Sequence, residues 1–368
     1  MHELAALAFA GAVLSLGVSP VAAAGGPSEF DHERLARQAL EKHIRPSYRR
    51  LLDAAQSLDA ALSARCGGGA SARAPVEQAF DAMVTAWGRA EHIGFGPVTV
   101  DQRLERIMFW PDRRGIAGRQ VEKALKERSS DVLDPALLAK KSVGMQGLPA
   151  LEMVLFGPES ESTTDNENVQ FRCGFAKAIA VNLKTMVQAI DAEWSSPDGF
   201  AASWLSPGPS NAHFLKPVET TIVLAKAFDL GLEKLRDQRI GGPLALNPQR
   251  RKIAPAFGRS GRSVRLIAAN IGGLRDLYVE GGIERALVDA KSDNPAGTAA
   301  LAKLVAQELA TARQTAVEVI ELKDPFARAS AGRIIALGFP LKNARSTAAS
   351  LLAAVTDLPL GFNASDGD

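Results

Sequence analysis

A single carboxylate inside an apolar stretch is the first candidate for chemistry in this chain. Residues 142–157 read SVGMQGLPALEMVLFG, and Glu152 is their one ionisable side chain. Burying an unpaired charge is costly. We therefore expect Glu152 to lie at a helix surface, to form an ion pair, or to contact a ligand.

Two arginines are candidate ion-pair partners for Glu152. These are Arg89 and Arg103, both in the first half of the chain. A guanidinium and a carboxylate form a strong, charge-assisted hydrogen bond. Such a pair would satisfy the acid at a domain junction without any metal.

A metal site at Glu152 would need further ligands, and histidines are scarce. Beyond the first 24 residues they are His32, His43, His92 and His213. His92 follows Glu91, so Glu152, Glu91 and His92 are one candidate set, with Glu152 and His92 as the metal ligands. An exposed histidine beside a helix end is the simpler interpretation. No H-E-x-x-H sequence occurs, so the standard zinc-protease arrangement is not indicated.

Acidic residues offer a second kind of metal site. Asp101, Glu105 and Asp112 could supply oxygen ligands to a hard cation. Solvated or ion-paired surface acids are the alternative for each of them.

An anion site is a further candidate. Residues 258–263 read GRSGRS and open a predicted helix, whose free N–H groups could hold an anion. The spacing is not that of a Walker loop. A helix cap with solvated arginines is the alternative, and Ser260 and Ser263 have no nearby histidine to activate them.

Composition excludes some classes of function. The chain has 368 residues, with 46% hydrophobic and 23% charged residues, which is ordinary for a globular protein. The formal net charge of +2 does not favour nucleic-acid binding.

The N-terminus resembles an export signal. An apolar block, Leu4–Val18, precedes the small-residue run Val21–Gly25, with a cleavage site near Ala24. We predict that residues 1–24 are a signal peptide and that the protein is periplasmic, without stable membrane insertion after cleavage. The block has no Lys or Arg before it, and a short membrane anchor is the alternative.

Export permits disulfides, and the chain has two cysteines, Cys66 and Cys173. A single bridge between them is predicted, with two free thiols as the alternative.

The elements that must position these residues are predicted to be helices. Apolar residues recur every three or four positions through most of the chain, most clearly from Phe171 to Trp194. Pro46 should interrupt a long first helix. The one strand candidate, Arg333–Leu337, is short and adjoins alanine-rich sequence. The predicted fold class is all-α, with two tandem helical bundles at 28–200 and 201–368, divided in the Pro-rich segment 195–217.

Several segments, taken in order, resemble the imelysin family (peptidase M75). The family motif is G-x-H-x-x-E, and residues 147–152 read G-L-P-A-L-E, with Pro149 where the histidine should stand. The remaining similar segments are Ile44–Tyr48, Cys66, Trp87, Arg89, Phe95–Pro97, Asp101, Arg103, Ile107, Trp110–Asp112, Phe156–Gly157 and Leu360–Asp368.

The resemblance implies a function as well as a fold. It implies two helical bundles with a site at their interface, and a role in bacterial iron acquisition with iron as the metal. The candidate ligand-binding residues are Glu152, Arg89, Glu91 and Asp112. Proline has no side-chain donor for a metal, so we expect a non-catalytic protein that binds a ligand, or an iron-uptake or membrane partner protein. An M75-type metallopeptidase and a periplasmic adaptor are the alternatives.

Overall fold

Helices make up the regular structure of the described chain. The structure, a computed structural model, describes residues 29–66, 73–158, 160, 166–249, 251–320, 322 and 324–356. No β-strand occurs in these ranges, so the all-α prediction is confirmed, and residues 333–336 of the strand candidate belong to a helix. The predicted signal peptide, the glycines after Cys66 and the family-like tail from Leu360 lie outside the described residues.

The helix bounds follow the apolar periodicity closely in most places. The α-helices are α1 His32–Ala39, α2 Arg45–Cys66, α3 Arg73–Ala90, α4 Arg103–Ile107, α5 Ile116–Glu127, α6 Pro135–Leu138, α7 Leu148–Phe156, α8 Asn166–Ser195, α9 Phe200–Leu205, α10 Pro217–Glu233, α11 Gly241–Leu244, α12 Ser263–Val279, α13 Ile283–Asp289, α14 Pro295–Val319, α15 Ala331–Ala336 and α16 Gly338–Thr356. Short 3₁₀ turns lie at Gly96–Gln102, Ser130–Val132 and Val143–Met145. Among the described residues, no helix is both long enough and apolar enough to cross a bilayer.

The long helices pack in a series that runs across both halves of the chain. Helix α8 packs on α2, α2 on α3, α3 on α12, α12 on α14, and α14 on α16. The contact of α3 with α12 is close: a Cβ at Gly273 of α12 would lie 2.8 Å from the Arg89 Cα. Buried side chains from both halves join one apolar cluster. The division into bundles at 28–200 and 201–368 stays a prediction.

Two π-helical segments interrupt the α-helices, at Leu40–Ile44 and Lys234–Ile240. The first ends two residues before Pro46, whose ring nitrogen cannot donate to the carbonyl one turn back. The wider turn is closed by the Arg45 N–H, which bonds to the Leu40 carbonyl. Pro46 therefore interrupts the first long helix, as predicted.

The sequence of residues 101–110 favours a helix over its whole length, but in the structure α4 spans only Arg103–Ile107. Asp101 and Gln102 both have left-handed backbone, with φ of 52° and 55°. An α-helix cannot run through two such residues. Local periodicity gave no sign of this turn.

A disulfide joins the end of α2 to α8. Cys66 and Cys173 are bonded and 107 residues apart, and their Cα atoms are separated by 5.6 Å. The predicted bridge is confirmed. It fixes two helices that already pack along their lengths.

We expect the Cys66→Ser, Cys173→Ser double variant to lose about 4–5 kcal/mol of unfolding free energy, because the bridge restricts a long loop in the unfolded chain. Urea unfolding of the oxidised protein and of the double variant measures the difference. Reductant should destabilise the wild-type protein and leave the double variant unchanged. A difference below about 1 kcal/mol would contradict the loop-entropy estimate.

Candidate functional site

The altered motif forms the start of α7. Gly147 precedes the helix, and a Cβ there would meet the carbonyl oxygens of Arg106 and Ile107 at 2.5 Å. Pro149 lies in the first helical turn, where a missing N–H costs nothing. The glycine is therefore required by backbone packing, and the proline fits the helix but provides no ligand atom.

Glu152 is buried, at 6% exposure, and is held by Ser260. The Ser260 N–H and hydroxyl both donate to the Glu152 Oε1, each at 2.8 Å. Burial raises the pKa of Glu152, and the two bonds from Ser260 oppose this. The predicted pairing with Arg89 or Arg103 is wrong.

Those two arginines are engaged elsewhere. Arg89 forms an ion pair with Asp276 of α12, and the Arg103 side chain donates to the Pro97 carbonyl at 2.9 Å. The partner of Glu152 comes instead from a loop 108 residues further along the chain. No local pattern indicates that contact.

Asp112 is a helix cap. Its carboxylate accepts the N–H of Ile116 at 3.0 Å and the N–H of Gly118 at 3.2 Å, at the start of α5. Asp101 and Glu105, the other predicted oxygen ligands, are exposed. No group of three or more His, Cys, Asp or Glu side chains with metal-site geometry occurs within the described ranges.

A cavity of about 720 Å³ lies beside Glu152 and Asp112. We call it the motif cavity. Its walls are the segment 108–118, the start of α7 and the loop 251–259, which together bring both halves of the chain to one site. The apolar lining residues include Met108, Phe109, Trp110, Pro111, Pro149, Met153, Ile253, Pro255 and Phe257.

Basic side chains are in excess around the motif cavity. Its charged lining residues are Asp112, Arg113, Glu152, Arg251, Lys252 and Arg259. Arg259 lies 3.9 Å from the exposed Glu122. Arg113, Arg251 and Lys252 are exposed and form no ion pair with any described residue.

Two groups of the predicted anion site at residues 258–263 already have protein partners. The Ser260 N–H is taken by Glu152, and the Arg262 Nε donates to Asp81 at 2.7 Å. Only Arg259 keeps an exposed side chain directed at the motif cavity lining. Of the two arginines in this segment, Arg259 is exposed and Arg262 is paired with Asp81, so a pair of solvated arginines does not describe this turn.

A buried ionic network around Glu91 contacts Trp110 through Arg239. Glu91 is 7% exposed and pairs with Arg239 and, at 2.8 Å, with the Lys234 Nζ. The Asn270 amide also donates to Glu91, at 2.9 Å. Burial alone would raise the pKa of Glu91, but Arg239 and Lys234 lower it to about 2. The sequence marks Glu91 as a candidate but not its three partners, which come from the second π-helical segment and α12.

Arg239 connects this network to the motif cavity. Its guanidinium lies over the Trp110 ring, 4.1 Å from the centroid, while the Trp110 indole N–H donates to the Ala254 carbonyl at 3.2 Å. Trp110 therefore has one face against a buried cation. Its position is fixed both by the network and by the loop 251–259.

The histidine candidate His92 contacts another histidine. Its Nε2 lies 2.8 Å from the Nε2 of His43, in the first π-helical segment. Both Nδ1 atoms are buried and have no hydrogen-bond partner in the described protein. Burial lowers the pKa of His92 to about 3, opposed by Glu91. The pKa of His43 is also lowered, by burial first and then by His92, Arg50 and Arg89.

The residues present do not fit a metal ion held in the way that the family motif implies. Pro149 offers no ligand atom, the Glu152 Oε1 accepts two protein donors, and His92 is hydrogen-bonded to His43. The candidates Glu152 and His92 line different cavities, on either side of the Trp110–Arg239 contact.

Substitutions at Glu152 should show that the residue acts as a hydrogen-bond acceptor. We expect Glu152→Gln to change the unfolding free energy by less than about 1 kcal/mol, because an amide oxygen can still accept from Ser260. Glu152→Ala should cost about 1–3 kcal/mol, because it leaves two buried donors unsatisfied. Urea unfolding measures both, and equal losses in the two variants would show that the negative charge itself is needed.

Acid should destabilise the protein through His92. Its folded pKa of about 3 lies below the unfolded value, so the unfolded chain binds more protons as the pH falls below about 6.5. We expect His92 to account for about 2 kcal/mol of lost stability between pH 8 and pH 5. The measurement is urea unfolding at both pH values.

A substitution isolates this effect. His92→Gln should have a smaller pH-dependent loss than the wild-type protein. An unchanged loss in His92→Gln would show that another group governs acid stability.

The chain matches the family model of imelysin, peptidase M75, over residues 44–358. A search of curated proteins finds no match.

Two solved structures share this fold. The chain is similar to an imelysin-like protein from Psychrobacter arcticum 273-4, with a TM-score of 0.74, 18% identity, and coverage of 91% of this chain and 100% of that one. It is also similar to an iron-regulated protein A precursor from Parabacteroides distasonis ATCC 8503, with a TM-score of 0.67, 12% identity, and coverage of 88% and 97%. Because the family model covers most of the chain, the protein belongs to the imelysin (peptidase M75) family.

Proposed function

We propose that this protein is an exported, non-catalytic member of the imelysin family that acts in bacterial iron acquisition. It binds an iron-containing ligand in the motif cavity rather than a bare ion at the motif. Residues 1–24 direct it to the periplasm. The iron role is supported by the family and by the iron-regulated protein with the same fold.

The observation that carries this proposal is the motif cavity itself. It lies at the altered motif, has a volume of about 720 Å³, and is lined by both halves of the chain. Pockets for small organic ligands have volumes of about 300–1,000 Å³. The site therefore has room for a ligand much larger than a single metal ion.

The four predicted ligand-binding residues have two roles in this proposal. Asp112 and Glu152 line the motif cavity, and each carboxylate also holds a wall in place, Asp112 through α5 and Glu152 through Ser260. Arg89 and Glu91 hold α3 against α12 and the second π-helical segment. They support the cavity without lining it.

An M75-type metallopeptidase is the second candidate, because the family model is that of a peptidase family. A peptidase would need a ligand set for its metal or another source of a nucleophile. Hydrolysis of a peptide substrate that stops on addition of a chelator would establish this activity and contradict the proposal. A periplasmic adaptor, the third candidate, would not need the motif cavity.

A deletion strain of the native host tests the proposed function. We expect slow growth when iron is limited by a chelator, recovery with excess iron, and complementation by the intact gene. A gene lacking codons 2–24 should fail to complement, because the product would stay in the cytoplasm. Normal growth of the deletion strain in iron-limited medium would contradict the role in iron acquisition.

A cavity-filling variant tests the site. A Cβ at Gly118 would lie 3.9 Å from the Met153 methyl group, so Gly118→Leu should fold and occupy the motif cavity. Gly332 is the matched control, since a Cβ there meets nothing within 4 Å. We expect Gly332→Leu to complement the deletion strain and Gly118→Leu to fail. Full complementation by Gly118→Leu would favour the adaptor.

A further inference from the structure

We propose that the ligand of the motif cavity is an anionic iron chelate with an aromatic frame. This inference rests on the proposed function, because it names the chemical class of the ligand at the same site. It follows from the charges, the hydrogen bonds and the aromatic side chains that line the cavity.

The charges around the motif cavity favour an anion. Arg113, Arg251, Lys252 and Arg259 supply four positive charges, against two carboxyl groups. The first three of these side chains have no ionic partner among the described residues. Because these three side chains pair with no other charged group, a ligand could bind them without breaking an ion pair within the protein.

The two carboxyl groups do little to reverse this preference. Asp112 is bonded to two backbone N–H groups of α5, and the Glu152 Oε1 is bonded twice to Ser260. A free metal cation would meet four basic groups and two acids that are already engaged.

The walls between these charges favour an aromatic ligand. Phe109, Trp110, Pro111 and Met153 are half-buried and line the motif cavity. Aromatic rings and a thioether form favourable contacts with a flat ring, and guanidinium groups stack on such rings as well. A small aliphatic anion such as citrate would use the charges and leave these walls uncovered.

Trp110 is positioned in advance for such a contact. Arg239 covers one face of its ring, and the Ala254 carbonyl accepts its N–H. Arg239 is itself fixed by the buried Glu91. The remaining face and edge of Trp110 can therefore contact a ligand without loss of side-chain freedom on binding.

Calorimetric titration of the folded, oxidised protein tests the ligand class. The probes are ferric dihydroxybenzoate, which is anionic and aromatic, ferric citrate, which is anionic and aliphatic, and the zinc ion. We expect ferric dihydroxybenzoate to bind about tenfold more tightly than ferric citrate, which is the scale of one or two aromatic contacts. Zinc should not bind stoichiometrically, and salt should weaken binding of the chelate.

Charge-removing variants locate the site. The triple variant Arg113→Gln, Arg251→Gln, Lys252→Gln should weaken binding about 30-fold, with three exposed charges contributing together. These side chains hold no described partner, so the fold should be kept. Arg114→Gln is the matched control, since Arg114 is exposed and adjacent but does not line the cavity. Phe109→Leu should reduce the preference for the aromatic chelate over ferric citrate.

Three results would overturn the proposal. They are equal or tighter binding of ferric citrate, binding of the aromatic chelate that the triple variant leaves unchanged, and absence of saturable chelate binding. Iron-dependent growth of the deletion strain is independent of all three. A growth defect without chelate binding would contradict only the proposed ligand class. Chelate binding without a growth defect would contradict only the proposed role in iron acquisition.

Discussion

A buried carboxylate must find hydrogen-bond donors, and this constraint holds the two halves of the chain together. Glu91 and Glu152 are both nearly inaccessible to water. Their donors come from the second half of the chain: Arg239, Lys234 and Asn270 for Glu91, and Ser260 for Glu152. Separation of the halves would leave unsatisfied acids on one side and an unpaired buried arginine on the other, which is a large penalty.

The same contacts shape the motif cavity. Glu152 fixes the loop 251–259 through Ser260, while Glu91 fixes Arg239, which lies over Trp110. The cavity wall is thus attached to the protein interior at two points. The two π-helical segments supply His43 to one part of this interior and Lys234 and Arg239 to another. Such wide turns often mark functional regions in helices, and here they bring polar side chains into a helical core.

Local sequence predicted the fold class, the helix interruption at Pro46 and the Cys66–Cys173 bridge, because each depends on short-range pattern or on residue type. It identified Glu152 by a similar argument, as a charge among apolar neighbours. It could not identify Ser260 or Arg239 as partners, since those contacts span 108 and 148 residues. The left-handed pair at Asp101 and Gln102 was also missed, because neither residue is a glycine that would have marked the turn.

Pro149 stands where the family motif has a histidine, and Glu152 is hydrogen-bonded to Ser260. Both motif positions therefore serve the fold. The Glu152 Oε1 accepts two hydrogen bonds from Ser260. Pro149 offers no imidazole that could share a metal with this carboxylate. Proline at that position instead stabilises the first turn of α7, because its backbone angle suits a helix start. The motif therefore forms part of a cavity wall. The exposed cations that a ligand could contact are Arg113, Arg251, Lys252 and Arg259 at the rim.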